Sequence, residues 1–134
     1  MLLHLRGKTY KVFIHDMKAH VFANLTLFYY PDVMVVCDPS DEERYYKTKP
    51  RIIVEVVSES TRGTDTREKL ITFIQLPSLE EYVLVEQDRM EITVHRRSKE
   101  WLPEILTGAE AVLELTAIGF SLPLRAVYEG VLPK

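Results

Sequence analysis

Three residues, Asp32, Glu55 and Lys69, combine acidic and basic side chains in a pattern that could do phosphate chemistry. Glu55 lies at the centre of the apolar run 52–57, where burying a carboxylate costs several kcal/mol unless it is paired or binds a metal ion. Asp32 begins the preceding apolar run, so the two carboxylates can converge at one end of a sheet if the runs form neighbouring strands. Two hard oxygen ligands with open coordination positions suit Mg²⁺ or Mn²⁺.

Lys69 follows Asp65 by four residues on a predicted helix, which could direct its ammonium group toward the same acidic pair. Carboxylates could then hold a divalent ion that polarises a phosphate and activates water, while the lysine orients the nucleophile or balances developing charge. This is the chemistry of phosphodiester hydrolysis. The alternative is a plain buried ion pair between Glu55 and Lys69, with Asp32 ending a loop, and from spacing alone that alternative is the commoner one.

Short apolar runs predict the strands that must position these residues: 10–14, 18–22, 33–37, 52–57, 81–85 and 91–95. The first two are separated by 15–17, which indicates a hairpin or a bend. The runs 33–37 and 52–57 lack alternation, which is typical of strands covered on both faces, and a central hairpin is the economical arrangement. Residues 81–85 and 91–95 form a second hairpin pattern.

Two helices are predicted. The first begins near Thr64, where Asp65 can cap free backbone amides while Glu68 reaches back as in a capping box, and it ends near Leu76. The second covers 124–129. The C-terminal third is less regular, since glycines and prolines divide it into short segments.

Composition bounds the class of protein. The chain has 134 residues, of which 46% are hydrophobic and 28% charged, which suits one soluble globular domain. The formal net charge of −3 provides no global basic field, so any phosphate binding must be local. Cys37, the single cysteine, is expected to pack as a buried hydrophobe. No apolar run approaches the roughly 20 residues needed to cross a bilayer, and a cytoplasmic protein is expected.

A more specific signal is the order of five segments: YYPDV at 29–33, VEVVSESTR at 54–62, Asp65, Lys69 and LPSLEEY at 76–82. This order resembles the Uma-type branch of restriction-endonuclease-like proteins in the PD-(D/E)XK nuclease superfamily, from about residue 4 to the final helix. The resemblance implies an α/β (α+β) fold with a restriction-endonuclease-like core, in which helices flank a central mixed sheet.

The resemblance also implies the site. Asp32, Glu55 and the backbone carbonyl of Val56 would bind Mg²⁺ or Mn²⁺, and Asp32, Glu55 and Lys69 would be catalytic. The chain departs from the family pattern at Val57, where a lysine is usual, but this branch supplies its lysine from the next helix, which matches Lys69. Glu59 stands where relatives often have proline.

A further departure concerns the domain. We expect residues 1–134 to form a single restriction-endonuclease-like domain without the N-terminal helical segment that relatives usually carry. That segment often contributes an acidic residue, which leaves an incomplete active site as an alternative.

Several residues near the predicted site have two interpretations. Ser58, Thr61, Arg62 and Asp65 could contact phosphate or support the metal ligands, although hydroxyls between a strand and a helix more often satisfy turn backbone, and Asp65 suits a helix cap. Basic residues could form a local positive rim for DNA, but solvated surface is the commoner explanation for them: Lys47, Lys49, Arg51, Arg62, Arg67 and Lys69. The four histidines show no metal-ligand spacing.

The sequence therefore predicts a Mg²⁺-dependent endodeoxyribonuclease that hydrolyses phosphodiester bonds in DNA. The rival hypothesis is a noncatalytic binding or assembly module that keeps the nuclease fold while its site serves as a buried charge network. Because the strands at 83–85 and 92–94 could leave an exposed sheet edge, we also expect a homodimer that covers it.

Overall fold

A computed structural model describes residues 2–5, 8–14, 18–22, 26–29, 31–37, 46–58 and 64–129. In chain order the elements in these ranges are β1 (Leu2–Leu5), β2 (Lys8–Ile14), β3 (Lys18–Phe22), β4 (Thr26–Tyr29), β5 (Val33–Val36), β6 (Tyr46–Lys47), β7 (Pro50–Val57), α1 (Thr64–Phe73), β8 (Glu81–Glu86), β9 (Glu91–Arg96), β10 (Pro103–Thr107), β11 (Val112–Leu115), β12 (Phe120–Pro123) and α2 (Leu124–Val127). A 3-10 turn, Arg97–Lys99, follows β9.

In the described residues, seven strands form the central sheet in the order β1–β2–β5–β7–β8–β9–β10. Strands β7 and β8 are parallel, and the other neighbours in this sheet are antiparallel, so the sheet is mixed. A parallel pair needs a crossover connection, and α1 lies in the connection between β7 and β8. This confirms the predicted fold class, including the antiparallel pairing of β5 with β7.

The sheet buries one core on each face, which explains why the central runs are apolar without alternation. On one side, α1 and β3 cover the helix-side core, formed by Ala19, Met34, Val36, Ile53, Phe73, Leu76, Leu79 and Tyr82. On the other side, the β11–β12 hairpin and α2 cover the hairpin-side core, formed by Val35, Ile52, Val83, Ile92, Val94, Leu113, Ile118, Leu124 and Tyr128. Cys37 is half-buried and packs against this second core.

The predicted first pair of strands does not form a hairpin. Strand β2 pairs with β1 and β5 in the central sheet, whereas β3 pairs with β4 and β6 in a separate three-stranded sheet. Strands β2 and β3 therefore belong to different sheets, and residues 15–17, on which the alternative of a bend falls, lie outside the described residues.

The C-terminal third is more regular than the sequence indicated. It contains β10, which pairs with β9, and the β11–β12 hairpin. The glycines there follow or join strands: Gly108 comes directly after β10 at φ +92°, and Gly119 lies between β11 and β12 at φ +67°. Residues with side chains rarely adopt this region of φ, so the glycines mark strand ends rather than irregular chain.

The expected exposed edge is not where the sequence placed it. Strand β8 lies between β7 and β9, and β9 is covered by β10. The edges of the described central sheet are β1 and β10, so the reason given for a homodimer was wrong, while the homodimer itself stays a prediction. Among the helices of the described ranges, neither has the length and apolar character needed to cross a membrane.

Candidate active site

The pairing of β5 with β7 brings the two acidic residues together. Val33 lies opposite Val54 in the antiparallel register, which places Asp32 beside Glu55. The backbone N–H of Asp32 donates to Glu55 Oε1 at 3.2 Å, and the N–H of Val56 donates to Asp32 Oδ2 at 2.6 Å. Each carboxylate is thus held by a backbone amide of the other strand, so both are oriented before any ligand arrives.

Helix α1 supplies the basic residue of the cluster. Lys69 Nζ lies 3.2 Å from Glu55 Oε2, and the Lys69 side chain is 26% exposed. The crossover from β7 to β8 lays α1 over the sheet, and Leu70 and Phe73 pack into the helix-side core. Because these apolar contacts fix the rotation of the helix, the neighbouring Lys69 is directed to the flank on which Glu55 lies.

Burial dominates the electrostatics of Glu55. Its removal from water raises the pKa of the carboxyl above the ordinary value of 4.5, and this effect outweighs the attraction of Lys69, which lowers the pKa; the negative charge of Asp32 raises it further. Glu55 is 7% exposed, whereas Asp32 is half-buried. A cation added at this point would favour the ionised carboxylate.

The donor set fits a hard divalent cation. Two carboxylates converge, and each keeps lone pairs beyond those engaged by the amides and by Lys69. The carbonyl of Val56 points to the same side of β7 as its N–H, toward Asp32, because both groups of a strand residue face the same neighbour. Among the described residues no third acidic, histidine or cysteine side chain joins the pair. Substrate oxygens and water would complete six-fold coordination.

The raised pKa of Glu55 leads to a pH prediction for the metal-free protein. Between pH 4.5 and the folded-state pKa, the folded chain binds more protons at Glu55 than the unfolded chain. The contribution of the Glu55 carboxyl to stability is therefore full below pH 4.5 and is lost as the pH rises through the folded-state pKa. Glu55→Gln removes the ionisation. In EDTA, the unfolding free energy of Glu55→Gln relative to wild type should therefore increase from pH 4 to pH 7, measured by urea denaturation at about five pH values.

Glu110→Gln is the matched control, because the Glu110 side chain is 85% exposed. Its stability difference from wild type should show little change over the same range. Parallel pH profiles for wild type and Glu55→Gln would contradict the assignment of a desolvated carboxylate at Glu55.

The structure describes only some of the other candidate residues. Ser58 directly follows β7 and is half-buried. Thr61 and Arg62 lie outside the described residues. Helix α1 begins at Thr64, while the Asp65 side chain lies outside the described part of the structure, so its predicted capping role stays a prediction.

Part of the predicted basic rim lies elsewhere. Lys49 and Arg51 line a cleft at the start of β7, and Arg51 is four residues, or about 13 Å, along the strand from Glu55. The Arg51 Nε–H donates to the carbonyl oxygen of Ala117 at 3.1 Å, and Lys47 is buried at 5% exposure. The sequence could not show this, because lysine and arginine positions alone carry no information on which end of a strand faces the site.

The two cross-strand amide contacts were also missing from the sequence interpretation. They depend on a register that the apolar pattern of β5 and β7 leaves undetermined, because runs buried on both faces tolerate a shifted alignment. The proximity of Asp32 to the start of its apolar run was the available signal.

Comparisons with known proteins bear on this geometry. A family model, Uma2, described as "Putative restriction endonuclease", matches residues 2–125. A Synechocystis protein (strain PCC 6803), Uncharacterized protein slr1290, is 33% identical over 132 residues, covering 96% of this chain and 68% of that protein. Uncharacterized protein sll1609 of the same strain is 29% identical over 119 residues, covering 85% of this chain and 67% of that protein.

A solved structure resembles the fold. The crystal structure of a "putative nuclease belonging to DUF820" from Anabaena variabilis ATCC 29413 superposes with a TM-score of 0.71 and 14% identity, covering 92% of this chain and 70% of that one. At this identity the likeness establishes the architecture.

Proposed function

Since the chain belongs to the Uma2 family of restriction-endonuclease-like proteins, we propose that it is a Mg²⁺-dependent endonuclease that hydrolyses phosphodiester bonds in DNA. The observation that carries the proposal is the convergence of Asp32, Glu55 and Lys69 at one end of the sheet, with Lys69 Nζ 3.2 Å from Glu55 Oε2. Mn²⁺ has the same ligand preferences and is the expected substitute.

Each residue of the site has a different proposed role. Asp32, Glu55 and the Val56 carbonyl would hold the ion, which when bound supplies Lewis acidity toward a phosphate oxygen and the attacking water. The amide contacts of Asp32 and Val56 keep the two carboxylates oriented. Lys69 would carry the positive charge that orients the water or stabilises the negative charge developing on the phosphate oxygens. Its position on a packed helix keeps that charge fixed during the reaction.

A cleavage assay tests this proposal. Purified protein with Mg²⁺ or Mn²⁺ should nick or cut supercoiled, linear or single-stranded DNA, and EDTA should stop the reaction. Lys69→Met should lower the rate about a hundredfold or more, as loss of one preorganised charge-stabilising group does. Because Lys69 is not a ligand and competes for Glu55 Oε2, Lys69→Met should leave Mg²⁺ affinity unchanged or stronger.

Lys69→Arg is the matched variant, since it keeps the charge and should retain part of the activity. Intact DNA in every form, under conditions in which a known nuclease is active, would contradict the catalytic role. Cleavage of RNA alone would contradict DNA as the substrate.

One observation favours the rival, a noncatalytic binding or assembly module. In the described part of the chain only two carboxylates meet, and Lys69 already offsets the charge of Glu55. A buried ion pair of this kind is complete without metal. For such a module, Mg²⁺ should leave the melting temperature unchanged, whereas a metal site stabilises the fold by mass action.

A further inference from the structure

Two hydrogen bonds at the end of β9 define the direction of its backbone groups. The N–H of Arg97, directly after β9, donates to the carbonyl oxygen of Glu80 on the β8 side at 2.9 Å. The carbonyl oxygen of Arg96 accepts from the N–H of Trp101 on the β10 side at 2.8 Å. Because successive strand residues point their backbone groups to opposite neighbours, the even-numbered residues of β9 face β10.

Strand β10 therefore presents alternate residues to its outer edge. Glu104 and Leu106 lie opposite even-numbered residues of β9, so their backbone groups bond to β9. The backbone groups of Pro103, Ile105 and Thr107 point outward, and no strand of the described chain pairs with them. Since proline has no N–H, the outer edge offers the N–H groups of two residues and the carbonyl oxygens of three.

This edge also carries the two most exposed large apolar side chains of the described residues. Leu102, directly before the strand, is 65% exposed, and Ile105, at its centre, is 62% exposed. Ile105 also lines a groove beside α1, in which Arg67 and Glu86 are among the other lining residues. An open edge strand with exposed apolar side chains is a template for pairing with another chain.

The usual protections of an edge strand are weak in β10. Edge strands commonly carry charges or prolines that keep other strands away. Glu104 is the only charged residue of β10, and its carboxylate pairs with Arg96 of the same sheet, 3.4 Å from Nε. Pro103 is the first residue of the strand, so the centre of the edge stays open.

We propose that β10 pairs antiparallel with β10 of a second copy of this chain, with Ile105 opposite Ile105 at a two-fold axis. In this register the two Ile105 residues exchange their N–H···O=C bonds, and each Thr107 N–H donates to the Pro103 carbonyl oxygen of the other copy. Each Leu102 comes beside Gly108 of the other copy, where the space is open because a Cβ on Gly108 would meet no atom within 4 Å. Every outward N–H thus has an acceptor, and both exposed apolar side chains are covered.

The neighbouring registers fit less well. A shift in one direction places Glu104 opposite Glu104, and like charges directly opposite each other are destabilising. A shift in the other direction places Ile105 opposite Thr107 and brings Leu102 beside Glu110 instead of a glycine. The edge therefore complements itself best about Ile105, which favours a second copy as its partner.

Such pairing joins two central sheets into one continuous sheet. A two-fold axis through an antiparallel pair of strands keeps the helix side of both copies on one face. The acidic pairs of the two copies would then lie on the same face of the joined sheet. The pairing itself needs no nuclease activity, so its test is independent of the proposed function.

The molecular mass in solution tests the pairing. Sedimentation over a series of concentrations should show a monomer–dimer equilibrium that approaches twice the mass of one chain. Ile105→Lys places two ammonium groups at the axis and should raise the dissociation constant at least about tenfold. Ile71→Lys is the matched control, because Ile71 on α1 is 54% exposed and lies away from the edge, and it should leave the equilibrium unchanged.

Cysteine cross-linking tests the register. Opposed residues of a hydrogen-bonded pair lie about 5.5 Å apart at Cα, which is within disulfide range. Under mild oxidation Ile105→Cys should form a linked dimer at least about tenfold faster than Ile71→Cys, which measures chance collision. Leu106→Cys would lie opposite Glu104 of the other copy and should link slowly. The wild-type protein, with Cys37 alone, gives the background.

A monomer at every concentration would overturn the proposal. So would a dimer that Ile105→Lys and Ile71→Lys weaken equally, or faster linking of Leu106→Cys than of Ile105→Cys. Because the mass of the wild-type protein and the cysteine variants do not depend on Ile105→Lys, they decide the question even if that variant fails to fold. A dimer that cuts no DNA would support this inference and contradict the proposed function, and a monomer that cuts DNA would do the reverse.

Discussion

Asp32→Asn and Glu55→Gln should each abolish measurable Mg²⁺ binding and lower DNA cleavage by at least about a thousandfold. Each replacement removes one of the two charged ligands, so the metal ion would no longer be held. The Lewis acidity of such an ion contributes several kcal/mol at the transition state. About 1.4 kcal/mol corresponds to a tenfold change in rate. Both replacements are nearly isosteric. In Asp32→Asn the new amide oxygen can still accept from the Val56 N–H, and in Glu55→Gln the new amide oxygen can still accept from the backbone N–H of residue 32.

Calorimetric titration with Mg²⁺ and Mn²⁺ measures the first effect, and the cleavage rate measures the second. Mg²⁺ should also raise the melting temperature of wild type and leave both variants unchanged. Glu110→Gln, at an exposed residue that pairs with Arg125, should behave as wild type in all three measurements. If the folded wild-type protein binds neither ion, the result would contradict the proposed metal site and support the noncatalytic module.

The largest effect on stability is expected from Arg96→Met. Arg96 is 6% exposed, and its guanidinium forms an ion pair with Glu81, which is 1% exposed. The Glu81 carboxylate also accepts hydrogen bonds from the Ala117 amide at 3.0 Å and from the Thr116 hydroxyl at 3.2 Å. These hydrogen bonds connect the turn after β11 to the sheet. Removing the guanidinium leaves a buried charge uncompensated, which costs about 3–5 kcal/mol.

Urea denaturation measures this change, and the double variant Glu81→Leu/Arg96→Met should recover part of the loss because both charges are then absent. Arg125→Met is the matched control. It removes an arginine from an ion pair of 2.9 Å whose side chains are 58% and 85% exposed, and such surface pairs contribute at most about 1 kcal/mol. Equal destabilisation by Arg96→Met and Arg125→Met would show that the buried ion pair contributes no more to stability than the exposed one.

The strands that carry the site and its neighbours were predictable because their apolar runs are long enough to dominate local preference. Strands β5, β7, β8 and β9 appear within one or two residues of the predicted ranges. Strands β1, β4, β6, β10, β11 and β12 were missed. In β10 and β11, exposed positions such as Ile105 at 62% and Val112 at 46% blur the apolar pattern, and pairing with neighbouring strands stabilises them.

The acidic and basic residues of the site were also identifiable from sequence, since a carboxylate inside an apolar strand needs a partner. Their mutual contacts were not. The Asp32–Glu55 amide contact depends on strand register, and the Lys69–Glu55 pair depends on the rotation of α1. Neither property is encoded in residues adjacent along the chain.

By itself, the sequence determined most strands of the central sheet through local apolar runs, and the order of its motifs indicated the family. Side-chain chemistry pointed to Asp32 and Glu55 as candidate ligands for a hard cation. Only the tertiary structure decided which groups meet. In the folded chain, Lys49 and Arg51 lie at the end of β7 away from Glu55, and β10 pairs with β9. Arg67 and Glu86 line a groove separate from the acidic pair. The physical reason is that strand order, register and helix rotation result from burial over the whole chain, to which distant segments contribute together.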